Sequence, residues 1–269
     1  MKRVTPGEGA DLTSARPQGM QEHTYPIMYE VEDAHWWYAG RRRIIASFLK
    51  QICGRLQTAR PGILDIGCGT GANLELLEKF GEVEGVDISE EALAFCRERG
   101  FANVRHGAAE QLPFQDAAFD VVTALDVIEH LDDDVSSLRE MRRVLRPGGY
   151  ALLFVPAFMF LWGVQDDVSN HRRRYTLKSL VEAVKAAGFK VERATYANLT
   201  FFAPILLVRA FMRAARLRPP SEFKINVPAF NGILGHVFGA ERFLLRRANF
   251  PFGVSALCVA RREPAEIDG

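Results

Sequence analysis

The 269-residue chain lacks the patterns that mark disulfide-rich, secreted and membrane-spanning proteins. Its four cysteines lie far apart and form no Cys-x-x-Cys pair, which argues against a disulfide scaffold or a zinc knuckle and fits a reducing compartment. Residues 1–20 contain no apolar stretch, so we expect no signal peptide. No uncharged apolar run reaches the roughly 18 residues that indicate a spanning helix. We therefore expect a cytoplasmic protein.

The charges nearly balance, since 34 basic side chains stand against 33 acidic ones and the formal net charge is +1. No overall positive field therefore favours a nucleic acid partner, and we expect none. The composition, 48% apolar and 25% charged, is typical of a globular protein. The basic residues are concentrated in residues 199–252, where eight stand against two acidic residues. The remainder of the chain is therefore negatively charged.

From Ile63 onwards, short apolar runs alternate with amphipathic helical patterns. This alternation predicts an α/β fold with a parallel sheet that is covered by helices on both faces. The predicted strands are Ile63–Ile66, Val83–Val86, Asn103–His106, Phe119–Leu125, Tyr150–Val155, Phe189–Tyr196 and Val254–Ala260. The predicted helices are Ala72–Phe80, 90–99 after an N-cap at Ser89, Val135–Leu145, and Leu177–Ala187 between an N-cap at Thr176 and Gly188.

Two segments stand outside this alternation and predict a chain of five parts. Residues 21–55 precede the first strand, contain His35-Trp36-Trp37-Tyr38, and are expected to form an N-terminal helical lid. Residues 199–252 interrupt the sheet before its last strand and are expected to form an apolar, basic helical insert. We expect a disordered tail at 1–20, a ligand-binding core at 56–198, and the last strand with a tail at 253–269.

The most informative segment is Ile63-Leu64-Asp65-Ile66-Gly67-Cys68-Gly69-Thr70-Gly71, in which a strand ends in three alternating glycines. Glycine permits positive φ and leaves bare backbone against a ligand, and the amides at the start of a helix favour a polar or anionic group. Asp87 ends the second strand, where its carboxylate can accept hydrogen bonds from both hydroxyls of a ribose or can cap a helix. An NAD(P)-dependent oxidoreductase uses the same geometry, but its first strand is normally apolar where Asp65 stands.

Further motifs follow in a fixed order along the chain. They are Gly107-Ala108-Ala109-Glu110-Gln111-Leu112-Pro113-Phe114, Phe119-Asp120-Val121-Val122, Asp126-Val127-Ile128-Glu129-His130-Leu131 and Leu145-Arg146-Pro147-Gly148-Gly149. With the glycine loop and Asp87, this order resembles the class I S-adenosylmethionine-dependent methyltransferases, in particular the small-molecule branch of the ubiquinone and menaquinone biosynthesis enzymes. The resemblance extends from Ile63 to Val155 and more weakly to Tyr196. It implies a Rossmann-like seven-stranded methyltransferase sheet; an oxidoreductase or a non-catalytic S-adenosylmethionine-binding protein is the alternative.

The resemblance implies that the chain binds S-adenosylmethionine and releases S-adenosylhomocysteine. Asp65 would order the glycine loop and help to hold the methionine amino group. The other implied neighbours of the cofactor are Gly67, Gly69 and Gly71 at the methionine and ribose, Asp87 at the ribose hydroxyls, Ile88, Ala108 and Ala109 at the adenine, and Leu125 and Asp126 near the sulfonium. Many relatives have an acid where Ala108 stands, so this sequence departs from the family pattern there.

The aromatic cluster of the predicted lid could fold over the cofactor. Trp37 would then present its ring near the cationic sulfonium, a contact that aromatic faces favour. Arg41 would reach the methionine carboxylate. The alternative is an aromatic helix that packs on the edge of the sheet.

Two histidines are candidate general bases for the transfer step. Methyl transfer from a sulfonium mainly requires alignment and exclusion of water, but a hydroxyl acceptor benefits from a base. His130 follows the fourth strand, and His171 lies in Asn170-His171-Arg172-Arg173-Arg174-Tyr175-Thr176 after the fifth. The alternatives are a packing role for His130 and a solvated basic turn at His171. No cluster with metal-ligand spacing is visible, so we predict no catalytic metal.

The insert suggests the kind of acceptor. Arg209, Arg213 and Arg216 recur at helical spacing, and the other faces of this predicted helix are apolar. Such a helix is typical of a membrane surface or a large apolar substrate, but also of a helix packed on the core or in a homodimer. We therefore predict methylation at oxygen or carbon of a hydrophobic, lipid-like small molecule. Peripheral contact to the inner face of a membrane through residues 199–218 and a homodimer contact both stay open.

Overall fold

Residues 24–217 and 228–264 are described by a computed structural model. They contain one seven-stranded sheet, and every predicted strand is present in it. The strands are β1 (Gly62–Ile66), β2 (Glu82–Asp87), β3 (Val104–His106), β4 (Phe119–Leu125), β5 (Leu145–Pro156), β6 (Lys190–Ala197) and β7 (Ser255–Arg261). The predicted tail at 1–20 lies outside the described residues.

The strand order is β3-β2-β1-β4-β5-β7-β6. Strands β1 to β5 pair in parallel, whereas β7 lies antiparallel between β5 and β6. The seven-stranded methyltransferase sheet is therefore confirmed, but the expectation that it is parallel throughout is wrong. Antiparallel strands need no crossover connection over the face of the sheet. The chain can therefore leave the sheet after β6, form the segment 198–254, and come back at the same edge to pair β7 with β6.

Nine α-helices are found in the described residues. They are α1 (Thr24–Val31), α2 (Trp36–Cys53), α3 (Leu74–Leu77), α4 (Glu90–Glu98), α5 (Asp134–Val144), α6 (Val164–Val168), α7 (Leu177–Ala186), α8 (Phe202–Ala214) and α9 (Asn231–Leu245). The predicted caps are confirmed, since Ser89 accepts a hydrogen bond from the Ala92 amide at 3.2 Å and Thr176 accepts one from Ser179 at 3.1 Å.

The helix predicted over Ala72–Phe80 is wrong in its extent, because only Leu74–Leu77 is α-helical. The backbone of Gly71 at φ +90° still belongs to the glycine loop, and this delays the start of the helix. After Leu77 the amides of Lys79 and Phe80 bond three residues back, which is the tighter 3₁₀ pattern that commonly ends a helix. The amphipathic pattern could not show either effect.

The central strands carry apolar side chains on both faces. Leu64, Val122 and Leu152, one from each of β1, β4 and β5, are completely buried. Strands buried on both faces are typical of a parallel sheet between two helical layers. At β1 the strand order reverses, with β2 on one side and β4 on the other, and the loops that follow these strands diverge to leave a crevice at their carboxyl ends.

The lid and the insert are joined by close packing of α9 against α2. A Cβ atom added to Gly40 of α2 would lie 2.4 Å from the ring of Phe238, so the helices approach as closely as glycine allows. By contrast, α8 has no buried residue. Within the described residues, no helix is long and apolar enough to cross a bilayer. The five-part division of the chain stays a prediction.

Candidate active site

The glycine loop forms the floor of the crevice. Gly67, Gly69 and Gly71 all have positive φ, at +63°, +55° and +90°. A Cβ at Gly67 would lie 2.6 Å from Val127, so the end of β4 requires glycine there, whereas Gly69 is open on that side. Gly67 and Gly69 line a cavity at the carboxyl ends of the strands. Gly71 does not, because it packs toward Cys96.

Asp87 ties this loop to the second strand. Its carboxylate accepts hydrogen bonds from the amide of Gly69 at 2.8 Å and from the amide of Ser89 at 2.9 Å. Burial raises the pKa of Asp87. The alternative in which Asp87 caps the next helix is not what the structure shows, because Ser89 is the N-cap of α4. Asp87 also lines the cavity, next to Ile88.

Asp65 lies beneath the loop and does not line the cavity. One carboxylate oxygen accepts a hydrogen bond from the Thr123 hydroxyl at 2.5 Å, and the other has no partner among the described residues. Burial raises the pKa of Asp65 to about 7. The structure therefore places Asp65 under the loop, and its contact with a methionine amino group stays a prediction.

Arg41 and Asp126 form an ion pair between the lid and the end of β4. Arg41 is only 4% exposed, and its guanidinium carbon lies 4.7 Å from the centre of the Trp37 ring. Burial lowers the pKa of Arg41 to about 10. Arg41, Trp37 and Asp126 all line the cavity, as predicted residues of the cofactor site. The structure gives Arg41 a carboxylate partner within the chain, and its contact with the cofactor stays a prediction.

The first helices cover the loop through contacts that the sequence did not reveal. Glu32, at the end of α1, accepts hydrogen bonds from the hydroxyl of Thr70 in the glycine loop and from Arg99, the latter at 3.0 Å. His35 caps α2 by accepting a hydrogen bond from the Trp37 amide at 3.3 Å, and burial lowers its pKa to about 4. The predicted lid therefore packs on the core beside the glycine loop.

The two predicted bases are brought together. The ring centres of His130 and His171 are 4.6 Å apart, with the rings nearly perpendicular. Burial lowers the pKa of His130 to about 3, which makes it a weak proton acceptor near neutral pH. The Nδ1 atom of His171 lies 2.8 Å from Asp166 Oδ1. Both histidines line the same cavity as the glycine loop, and their role as bases beside the cofactor stays a prediction.

Asp166 is a residue that sequence reasoning missed. Its carboxylate accepts a bidentate pair of hydrogen bonds from the Arg174 guanidinium, at 2.7 and 2.9 Å, and a hydrogen bond from the Gly163 amide at 2.7 Å. Although burial opposes ionisation, the bonds from His171 and Arg174 hold the pKa of Asp166 well below its usual range. Asp166 stays ionised and fixes the orientation of His171. Only its position after folding reveals this role, because nothing in the local sequence marks it.

These groups surround one cavity of about 330 Å³, a volume within the range of small-molecule sites. Of the residues predicted from sequence, the cavity is lined by Trp37, Arg41, Gly67, Gly69, Asp87, Ile88, Ala109, Leu125, Asp126, His130 and His171. Asp65, Gly71 and Ala108 are not among its lining residues. The residues that sequence reasoning missed include Tyr25, Glu32, Asp166, Ile205 and Arg209.

Comparison with known proteins agrees with this geometry. Residues 64–153 match the model of a family described as methyltransferase domain. A protein of Mycolicibacterium smegmatis, named a probable S-adenosylmethionine-dependent methyltransferase, is 33% identical over 175 residues, covering 64% of this chain and 65% of the relative. Demethylmenaquinone methyltransferase of Staphylococcus aureus is 43% identical over 94 residues, covering 32% of this chain and 39% of that protein. The match thus spans just under two thirds of the first relative and about two fifths of the second.

A solved structure shows the same fold at low sequence identity. The S-adenosylmethionine-dependent methyltransferase of Mesorhizobium loti superposes with a TM-score of 0.51 at 18% identity, covering 80% of this chain and 96% of that one. The strand order defines an α/β fold of the methyltransferase type. Residues 64–153 are similar to the methyltransferase domain family, and the chain resembles the S-adenosylmethionine-dependent methyltransferases in sequence and fold. This similarity favours the predicted class over the oxidoreductase alternative.

The methyl donor of this class is S-adenosylmethionine, and the product is S-adenosylhomocysteine. The residues present fit this cofactor, because the Asp87 carboxylate and the bare backbone of Gly69 face one cavity. Which atoms each residue contacts stays a prediction.

Replacement of Asp87 tests the ribose assignment. We expect Asp87→Ala to weaken S-adenosylhomocysteine binding by one to two orders of magnitude, because two charge-assisted hydrogen bonds of roughly 1.5–3 kcal/mol each are lost and partly replaced by water. Isothermal titration calorimetry measures this. Glu84→Ala on the same strand is the matched control and should bind like the wild type. Equal affinity of Asp87→Ala and the wild type would refute the assignment.

Asp65 predicts a pH dependence of stability. Its pKa in the folded protein, about 7, lies above its ordinary value of 3.8, so the folded state keeps a proton that the unfolded state releases. Between about pH 4 and pH 7, this carboxyl therefore destabilises the fold as pH rises, by at most about 1.4 kcal/mol per pH unit. We expect urea unfolding to show Asp65→Asn gaining stability relative to the wild type across that interval. Parallel curves would contradict the burial effect.

Proposed function

We propose that the protein transfers a methyl group from S-adenosylmethionine to an oxygen or carbon atom of an apolar, lipid-like small molecule. The observation that carries this proposal is the continuity of one cavity from the glycine loop, through His130 and His171, to Ile205 on α8. The cofactor supplies an activated methyl group. The chain's residues bind it, exclude water, and align the acceptor beside it.

The acceptor side of the cavity supports an oxygen or carbon nucleophile. His130 and His171 are two of the polar groups there, and Asp166 orients His171 through its Nδ1 atom. Two imidazoles can position and polarise a hydroxyl or an enol, which needs such help more than an amine does. The nearby arginines are engaged with carboxylates, since Arg41 pairs with Asp126 and Arg174 with Asp166. This arrangement gives no support to an anionic acceptor.

The apolar side of α8 supports a lipid-like acceptor and contact with a membrane surface. Its arginines face the protein, because Arg213 donates to the carbonyls of Phe160 and Trp162 at 3.1 and 3.2 Å and Arg209 donates to that of Leu161. Leu207 and Phe211 are instead 69% and 65% exposed. The same helix contributes Ile205 and Arg209 to the lining of the cavity. An apolar helix face in solvent, on a helix that also lines a substrate cavity, is typical of a protein that takes its substrate from a lipid surface.

The charge of the surrounding segment fits an anionic surface. Arg216, Arg246 and Arg247 are exposed, and they belong to the segment that carries the excess of basic residues. Basic residues beside an apolar helix face strengthen binding to anionic lipids. We therefore infer peripheral binding to an anionic membrane rather than a homodimer contact or packing on the core.

A panel of acceptors tests the proposed activity. Purified protein with S-adenosylmethionine should form S-adenosylhomocysteine faster when long-chain phenols or enolic quinols in mixed micelles are added than with the micelles alone. Amine acceptors of similar size and transfer RNA serve as comparison substrates. Turnover with these alone would contradict the acceptor class, and S-adenosylhomocysteine binding without turnover on any acceptor would favour the non-catalytic alternative.

The membrane contact predicts the effect of one added charge on α8. Leu207→Glu should reduce sedimentation with phosphatidylglycerol vesicles by about tenfold or more, since burying a leucine in an apolar phase is worth roughly 1.5–3 kcal/mol. Ala186→Glu adds the same charge at the exposed end of α7 and should sediment like the wild type. Equal sedimentation of all three proteins, or none with anionic vesicles, would overturn the inference.

A further inference from the structure

A cluster of three ligand-type side chains lies at the end of β4. Glu129 and His130 belong to a single 3₁₀ turn, Ile128–His130, and His171 reaches them from the segment before α7. One ligand atom from each of the three lies within 4.8 Å of the others. We propose that Glu129, His130 and His171 bind one divalent transition-metal ion. This site departs from the prediction of no catalytic metal, which ligand spacing in the sequence could not correct because His171 is far along the chain from the other two.

Glu129 is the strongest indication of a ligand. Its side chain is 0% exposed, and neither carboxylate oxygen makes a hydrogen bond to any other described residue. The nearest basic atom is the Nε2 atom of His171, 3.9 Å from Oε1. A buried carboxylate with no partner on another residue is strongly unfavourable unless a cation, a hydrogen-bond donor or a bound proton compensates it. A metal ion between Glu129 and the two imidazoles would supply that compensation.

The two histidines are oriented as metal ligands usually are. The Nδ1 atom of His171 contacts the carboxylate of Asp166 at 2.8 Å, which leaves Nε2 directed to Glu129. In His130, Nδ1 is buried without a partner, and the ring is hydrogen-bonded to the backbone of Ser169. Ligating histidines almost always donate their outer N–H to a carboxylate or a carbonyl. Asp166 and Ser169 have these two roles here.

The positive charges around the cluster are already neutralised by other carboxylates. Arg41 pairs with Asp126, and Arg174 pairs with Asp166 at 2.7 Å. Arg172 lies 3.1 Å from Asp132. None of these ion pairs includes Glu129, so no arginine of the three compensates its carboxylate and a cation could bind there.

The ligand set selects the kind of ion. Two imidazoles and one carboxylate form the set found in catalytic zinc sites, and imidazole also suits iron, cobalt and nickel. Ligand bonds of about 2.0–2.2 Å would draw the three ligand atoms somewhat closer together than they are. Because His130 and His171 also line the cavity, a remaining coordination position would face the acceptor. The histidines would then act as ligands rather than bases; this role in acceptor binding rests on the proposed function, but metal binding itself does not.

Titration with Co²⁺ tests the site without cofactor or acceptor. The chelator-treated full chain should take up one equivalent and develop visible absorption bands of tetrahedral or five-coordinate cobalt. Glu129→Gln and His171→Gln should each weaken binding by at least about 100-fold, since even outer-shell changes cost 10–100-fold. His236→Gln, an exposed histidine on α9, is the control and should keep the wild-type titration. Far-ultraviolet circular dichroism and a cooperative thermal transition like those of the wild type show that the variants are folded.

The outcomes separate this inference from the proposed function. Absence of a one-equivalent transition in the wild type, or an unchanged transition in Glu129→Gln and His171→Gln, overturns the metal site even if methyl transfer is observed. A one-equivalent transition that these two variants lose and His236→Gln retains supports the site even if no acceptor is methylated.

Discussion

The hydrogen bond from the Gly69 amide to the Asp87 carboxylate fixes the geometry on which the site depends. It joins the end of β1 to the end of β2 at the point where the strand order reverses. Gly67 and Gly69 can meet this constraint because they adopt positive φ without a side chain to collide with the end of β4 or fill the cavity. The result is a polar carboxylate beside bare backbone, at the edge of the sheet where ligands bind in this fold.

The lid completes the site from the opposite direction. The Arg41–Asp126 ion pair attaches α2 to the end of β4, and Glu32 attaches α1 to the glycine loop through Thr70. Buried ion pairs of this kind define position more than they add stability. Because the same lid helix packs tightly on α9, the apolar insert is linked to the cofactor-binding core through α2. This gives a physical connection between the proposed lipid-facing surface and the cavity.

Local sequence pattern was enough to predict what depends on local structure. The strand periodicities, the Ser89 and Thr176 caps, and the glycine loop all follow from residues that are close in the chain. The antiparallel β7 could not be read in this way, because its direction is set by its neighbours in the sheet. The orientation of α8 was also hidden, since an arginine stripe does not show whether it faces solvent or backbone carbonyls.

The residues of the candidate site likewise fall into those that local sequence could predict and those that it could not. Its glycines, Asp87 and the two histidines stand in recognisable motifs, whereas Asp166 and Glu32 acquire their roles only through contacts between distant segments. Glu129 stands in the motif that follows β4, yet its lack of hydrogen-bond partners on other residues is visible only in three dimensions.

A crystal structure with S-adenosylhomocysteine tests the account most directly. We expect the ribose hydroxyls on Asp87 and the sulfur facing His130 and His171; a nucleoside bound anywhere else would contradict it.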